Sequence, residues 1–129
     1  MKAITQYYLP TGVWLLIIFL VPTFFFPNNV IQFPFQTDKA VHFAEFFILA
    51  YLLNRAFFFG AHITDIRRTF ILTFGIIAFI GAVDELYQIY VPGRVTSFFD
   101  FSADVIGAVC SLILFKYKVR RKQLPLEEK

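Results

Sequence analysis

The sequence predicts an all-α protein, an integral membrane bundle of four transmembrane helices whose N- and C-termini are both cytoplasmic. Three observations support this prediction: the composition, four apolar segments of spanning length, and the distribution of Lys and Arg. Of the 129 residues, 58% are hydrophobic and 16% are charged, whereas soluble domains average about 25% charged residues. The length suits one domain, and we expect residues 1–129 to form it.

Four apolar segments are long enough to cross a membrane, which takes about 20 mostly apolar residues per helix. They run over approximately 10–26, 38–59, 68–91 and 97–117. The connectors between them contain Gly, Pro and Asn, which are typical of turns. No signal-peptide cleavage pattern follows the first apolar segment, so we expect that segment to be a transmembrane helix.

The positive charges are distributed unequally between the two ends of the predicted spans. Ten of the 12 Lys and Arg residues fall on the side that holds both termini, and Lys39 and Arg94 fall on the other. Because cytoplasmic segments carry an excess of Lys and Arg, both termini should face the cytoplasm of a bacterial inner membrane. The basic C-terminal tail then serves as a topology signal that favours anionic lipid, and no nucleic acid is expected as a partner.

Polar side chains line one face of three predicted spans, close to the outward end of each. Residues three, four or seven positions apart share a helix face, and the helical rise places Glu45, Asp84 with Glu85, and Asp104 about 9–10 Å into the membrane. The three stripes therefore predict one polar cluster in the outer third of the membrane. The residues of the three stripes are Asp38, His42 and Glu45, then Gly81, Asp84, Glu85 and Gln88, then Asp100, Asp104, Gly107 and Ser111.

The predicted cluster carries more negative than positive charge. Its acids outnumber its cations, which are Lys39, Arg94 and, when protonated, His42. An ionised side chain at the centre of a bilayer costs about 2.5–3.5 kcal/mol on insertion scales, so such groups usually pair inside the bundle. Either some of the acids stay protonated, or a cation or a cationic ligand binds among them.

Several interpretations of the cluster stay open on the residues alone. In the first, the polar side chains only lock the helices together. In the second, they bind a lipid head group or another ligand of the outer leaflet. In the third, His42, Glu45, Asp84 and Glu85 hold a divalent cation, and these residues with Asp104 supply a catalytic acid or base. A proton-coupled transporter is a fourth interpretation, for which four spans form a thin pathway.

The small residues of the fourth span and the single cysteine have structural explanations. Ala103, Gly107 and Ser111 form a small-xxx-small ridge that favours close helix packing and offers a contact for an oligomer. Cys110 has no second cysteine to pair with and lies in an apolar run, as a packing residue does. The sequence contains no nucleophile elbow, phosphate-binding loop or zinc-protease helix motif.

Four short motifs follow one another along the chain. They are D-K-x-x-H-F at 38–43, D-E-x-x-Q at 84–88, V-P-G-R at 91–94 and D-x-x-x-D-x-x-G at 100–107. In this order and spacing they resemble the VanZ-like membrane proteins, a family named for a teicoplanin-resistance protein. The resemblance implies a polytopic protein with an outer polar cluster and a link to the cell envelope and to antibiotic resistance. It does not imply a reaction.

The resemblance carries over to individual positions of this chain, with one departure. Asp104 stands where the family pattern usually has Asn, so this chain has one more acid in its cluster. That acid increases the negative excess and argues against a role that needs a neutral amide there. The matching positions are Asp38, Lys39, His42, Asp84, Glu85, Gln88, Pro92, Arg94, Asp100 and Gly107.

The residues and the resemblance together predict an envelope protein that binds an amphipathic ligand at the outer leaflet. The ligand would be a membrane lipid head group, a lipid-linked cell-wall precursor or a lipoglycopeptide. Lys39 and Arg94 would contact its phosphate or carboxylate, and the acids with His42 would hold an ammonium group or a cation. The predicted ligand-binding residues are Asp38, Lys39, His42, Glu45, Asp84, Glu85, Gln88, Arg94, Asp100 and Asp104.

Two alternative functions accompany this prediction. The first is a membrane-embedded, metal-assisted enzyme that acts on a lipid-linked substrate, with the candidate ligands named above. The second is a small structural subunit of a membrane complex, in which the polar cluster serves only packing.

The predicted orientation can be tested by labelling single cysteines in intact cells. A cysteine introduced at position 33 should react with a membrane-impermeant maleimide, whereas one introduced at position 122 should react only after the cells are opened. Cys110 is replaced in both variants, so that the introduced thiol is the one labelled. Reaction at position 122 in intact cells would overturn the orientation.

Overall fold

The computed structural model describes residues 2, 4–25, 35–90 and 97–123, and all regular secondary structure within them is helical. The all-α class predicted from the sequence is therefore confirmed. Four long helices follow one another along the chain: α1 Leu9–Phe25, α2 Phe35–Arg55, α3 Ile66–Gln88 and α4 Phe98–Gln123.

Each long helix belongs to a segment that is long and apolar enough to cross a membrane. These segments are Ile4–Val21, Asp38–Gly60, Ile66–Gln88 and Phe98–Arg121, which confirms that the chain has four helices of spanning length. The last helix continues past its predicted end at position 117 to Gln123. Its final turns carry Lys and Arg, whose charges interact favourably with the negative end of the helix dipole.

Two short π-helical turns flank these spans at the end of the bundle that holds the start of α1. Ile4–Tyr8 precedes α1, and Ala56–Gly60 continues α2. Tyr7 and Phe59, one from each turn, stack with their ring centroids 6.0 Å apart. The two turns, one before α1 and one after α2, therefore lie against each other.

One apolar core joins all four helices. The indole N–H of Trp14 in α1 also donates a 2.9 Å hydrogen bond to the backbone oxygen of Glu45 in α2. Large apolar side chains such as Phe79 and Ile113 point outward, which suits a lipid environment because lipid tails are as apolar as these side chains. The buried core residues are Ile18, Phe46, Leu49, Ala50, Ile77 and Ala108.

The two helices α2 and α4 run in the same direction and approach closely at Gly107. A Cβ at this position would lie 2.5 Å from the carbonyl oxygen of Phe43 and 3.1 Å from the backbone nitrogen of Phe47. Gly107 and Ser111 are both buried. Part of the predicted small-residue ridge thus serves packing within the chain, and its role in an oligomer stays a prediction.

A buried hydrogen bond links α2 to α3 near the basic end of the bundle, where no sequence motif indicates it. The hydroxyl of Thr73 donates a 2.8 Å hydrogen bond to Asn54 Oδ1, and both side chains are buried. Asp65 forms the N-cap of α3, since its carboxylate accepts the backbone N–H of Arg67 at 2.9 Å. Capping of this kind defines where a helix begins.

Gly107→Ala should destabilise the bundle, because the added methyl group would meet the backbone of α2 rather than a movable side chain. Overpacking of this kind costs about 1–3 kcal/mol. We therefore expect the midpoint of thermal unfolding in detergent to fall by several degrees.

Gly75→Ala and Gly12→Ala are matched controls for this experiment, since nothing lies within 4 Å of a Cβ at either position. Alanine is a better helix former than glycine by about 1 kcal/mol, so both variants should be neutral or slightly more stable. Equal unfolding midpoints for Gly107→Ala and Gly75→Ala would contradict the close approach of α2 and α4.

Candidate functional site

Polar side chains of α2, α3 and α4 meet at one end of the bundle. They come from the first turns of α2 and α4 and from the last turns of α3, because α3 runs antiparallel to the other two helices. We call this group the polar cluster. Its members are Asp38, Lys39, His42, Asp84, Glu85, Gln88, Asp100 and Asp104.

Two pairs of side chains connect α2 to α4 along the line where the two helices pack together, close to Gly107. Lys39 Nζ lies 2.6 Å from Asp100 Oδ1. One turn further along, His42 Nδ1 lies 3.1 Å from Asp104 Oδ1. Asp100 and Asp104 are only 1% and 0% exposed, and a carboxylate that is buried this completely needs such partners to offset its desolvation.

The third helix adds a carboxylate and an amide to the same network. Gln88 Nε2 donates a 2.8 Å hydrogen bond to Asp84 Oδ2 and lies 3.5 Å from His42 Nε2. Asp84 Oδ2 in turn lies 3.9 Å from His42 Nδ1. Both ring nitrogens of His42 therefore face polar groups, and His42 is the residue at which the polar side chains of the three helices meet.

The two adjacent acids of α3 point in different directions, as the rotation of about 100° between neighbouring helical residues requires. Asp84 is buried and faces His42. Glu85 is half-buried and faces the start of α4, where its Oε2 accepts the backbone N–H of Ser97 at 2.9 Å. Its Oε1 is buried and has no hydrogen-bond partner among the described residues.

Ser97 positions the start of α4 for this contact, although the sequence motifs did not include it. Its hydroxyl accepts the N–H of Phe99 at 3.3 Å, and its carbonyl accepts the N–H of Asp100 at 2.8 Å. These bonds are typical of an N-cap. The spacing Ser-x-x-Asp at 97–100 is the sequence signal that could have indicated it.

An apolar groove lies beside the polar cluster, between α3 and α4. Its volume is about 560 Å³, and Glu85 is one of the residues that line it. Grooves of this size, mostly apolar with a few polar groups, are typical of small-ligand sites. The other lining residues are Ala82, Leu86, Ile89, Ser97, Phe98 and Phe101.

A second carboxylate oxygen without a partner lies deeper in the cluster. Asp104 Oδ2 is buried and has no hydrogen-bond partner in the part of the chain that the structure describes. It faces Gly81, where a Cβ would lie 3.1 Å from this oxygen. The absence of a side chain at position 81 lets α3 pass close to the carboxylate.

The structure groups a different set of potential metal ligands from the set that the sequence suggests. Ligand atoms of Asp38, His42 and Asp100 lie within 4.8 Å of one another. Of the four predicted metal ligands, His42 belongs to this group, whereas Glu85 turns toward Ser97. The predicted set was His42, Glu45, Asp84 and Glu85.

Two of the predicted site residues need separate mention. Glu45 lies one turn deeper than His42 and is half-buried, and its backbone oxygen accepts the hydrogen bond from Trp14. Arg94, with the rest of the V-P-G-R motif, lies outside the described residues. The ligand-binding roles of both residues stay predictions.

The chain matches a protein-family model along almost its entire length. The family is VanZ/LLP1 and the match covers residues 3–120, a range that includes all four motifs and every predicted site residue. No curated protein and no solved structure matches the chain. With four apolar helices of spanning length, the chain is a multi-pass membrane protein that belongs to the VanZ/LLP1 family.

Proposed function

We propose that this VanZ-like membrane protein binds an amphipathic envelope ligand at the polar cluster and the adjoining groove. The proposal rests on the position of Glu85, which lines the groove and whose buried Oε1 has no hydrogen-bond partner among the described residues. An apolar chain or ring would occupy the groove, and a hydrogen-bond donor of the ligand would bind Glu85. The ligand would be a lipid head group with its chains, a lipid-linked cell-wall precursor or a lipoglycopeptide.

The charges of the cluster favour a ligand that carries an ammonium group. Five carboxylates belong to the cluster, and its positive charges come from Lys39 and, when protonated, from His42. Lys39 already contacts Asp100 at 2.6 Å. An ammonium group bound to Glu85 would therefore offset part of the negative excess through a charge-assisted hydrogen bond.

The proposed site lies in the outer leaflet of a bacterial inner membrane. This orientation is supported by the excess of Lys and Arg at the opposite end of the bundle, which the positive-inside rule assigns to the cytoplasm. An envelope ligand would then reach Glu85 from the membrane or from the outer surface, through the groove between α3 and α4.

Glu85→Gln should remove ligand binding and leave the fold intact. The glutamine carbonyl can still accept the N–H of Ser97, whereas the negative charge is lost. The probes are lysophosphatidylethanolamine and lysophosphatidylglycerol of one chain length, which differ in the ammonium group, and retention is measured by native mass spectrometry. We expect Glu85→Gln to lower the ratio of retained ethanolamine lipid to retained glycerol lipid by about tenfold relative to the wild type, since a hydrogen bond to a charged group contributes about 1.5–3 kcal/mol.

Asp65→Asn is the matched control for this variant. It also removes one carboxylate charge, but at the N-cap of α3 and outside the cluster, where asparagine is an equivalent cap. It should keep the wild-type preference. If Glu85→Gln loses both thermal stability and binding, a purely structural cluster is favoured, and an unchanged ratio of the two retained lipids in Glu85→Gln would contradict the proposal.

A membrane-embedded, metal-assisted enzyme is the second candidate function, which the grouping of Asp38, His42 and Asp100 favours. Within this group, however, Lys39 contacts Asp100 at 2.6 Å, and its ammonium would compete with a divalent cation. We therefore expect protein purified without chelator to contain substoichiometric divalent metal by mass-spectrometric elemental analysis. Stoichiometric metal that Asp100→Asn removes would instead favour the enzyme.

A further inference from the structure

We infer that the opposite, basic end of the bundle carries a second site, which binds the phosphate of an anionic phospholipid. A groove of about 680 Å³ opens there between α2, α4 and the π-helical turn that precedes α1. Arg55, Lys118 and Arg121 line it, and no acid is among the described residues of its wall. Three positively charged side chains therefore line the groove, together with apolar residues that include Leu114 and Phe115.

This groove is remote from the polar cluster. From His42 to Arg55 along α2, and from Asp104 to Lys118 along α4, the helical rise corresponds to about 20 Å. The two sites therefore lie near opposite ends of the spans, and each has its own sign of charge. The second site does not depend on the function proposed for the first.

Aromatic rings hold two of the cations at the groove. The guanidinium of Arg55 lies 5.6 Å from the centre of the Tyr7 ring. The ammonium of Lys118 lies 5.0 Å from the centre of the Tyr51 ring and donates a 3.3 Å hydrogen bond to its hydroxyl. Ring faces attract a cation without neutralising its charge, so both groups keep N–H donors for an anion, and the fork of Arg55 matches the oxygens of a phosphate.

Both π-helical turns of the described chain contribute to this groove. Tyr7 belongs to the turn before α1 and Phe59 to the turn after α2, and both residues line the groove. A Cβ at Gly60 would lie 3.1 Å from the ring of Tyr8, so glycine allows the two turns to approach. Such turns are rare and occur frequently at functional sites.

An anionic phospholipid fits these observations better than a soluble anion or a zwitterionic lipid. Leu114 and Phe115 line the groove, and the neighbouring Ile113 of the same helix is exposed, so acyl chains would find apolar side chains beside the phosphate. The phosphate would contact Arg55 and Lys118. A choline or ethanolamine ammonium would bring a fourth positive charge close to the three already present, which Coulomb repulsion disfavours.

Competition between two lipids in native mass spectrometry tests this site. The full-length protein is exchanged into mixed micelles that contain equal amounts of phosphatidylglycerol and phosphatidylcholine with identical acyl chains. We expect the wild type to retain phosphatidylglycerol preferentially. The double variant Arg55→Gln with Lys118→Gln should reduce this preference by about tenfold or more, the change expected from losing charge-assisted hydrogen bonds.

The matched control is Arg67→Gln with Lys116→Gln, which removes one Arg and one Lys from the same end of the bundle. Both of these side chains are exposed, and neither lines the groove. The control should keep the wild-type preference. Equal losses in the two double variants would show that diffuse basic charge attracts the lipid, and would overturn the site.

Two further measurements keep the test decisive. Excess glycerol 3-phosphate should not displace the lipid, and displacement would overturn the assignment to a phospholipid. If the first double variant does not fold, Arg121→Gln is compared with Arg120→Gln, since Arg121 lines the groove and the neighbouring Arg120 does not. Loss of lipid preference in Arg121→Gln alone would support the site, and equal behaviour of these two variants would overturn it.

Discussion

The arrangement of the polar cluster depends on one contact, the close parallel packing of α2 and α4 at Gly107. Because no Cβ separates the two backbones there, side chains at the interface of α2 and α4 contact each other. Lys39 contacts Asp100, and His42 contacts Asp104. A larger distance between the helices would leave both acids buried without partners, and breaking a buried pair costs about 3–5 kcal/mol. Packing and electrostatics are therefore coupled: the glycine permits the pairs, and the pairs make the burial of the acids tolerable.

Helix periodicity accounts for what the sequence could predict about this fold. The lengths of the apolar runs predict the four spans, and the i, i+4 spacing places Asp38 with His42, and Asp100 with Asp104, on single helix faces. Periodicity does not define how far each helix is rotated about its axis relative to its neighbours. The directions of Asp84 and Glu85 depend on that rotation, as does the grouping of Asp38 with Asp100 on different helices.

Other features had no sequence signal because they join residues that are distant in the chain. Thr73 and Asn54 each lie in an apolar run, and only the packing of α2 on α3 shows that they bond to each other. At the basic end, the number of Lys and Arg residues predicts the orientation of the bundle. It does not predict that Arg55 and Lys118 each lie over a tyrosine ring in a common groove, which follows from the packing of the helices.

The adjacent acids Asp84 and Glu85 differ in how fully the described chain satisfies their oxygens. Asp84 accepts a hydrogen bond from Gln88 and faces His42, so its contacts lie within the chain. One carboxylate oxygen of Glu85 accepts the N–H of Ser97, and the other is buried without a hydrogen-bond partner among the described residues. Leaving a buried polar group unsatisfied costs about 1–3 kcal/mol, and more when the group is charged. An apolar side chain at position 85 would avoid that cost but would leave the N–H of Ser97 at the start of α4 without its carboxylate partner, and in the proposed function a donor group of the ligand would bind the second oxygen.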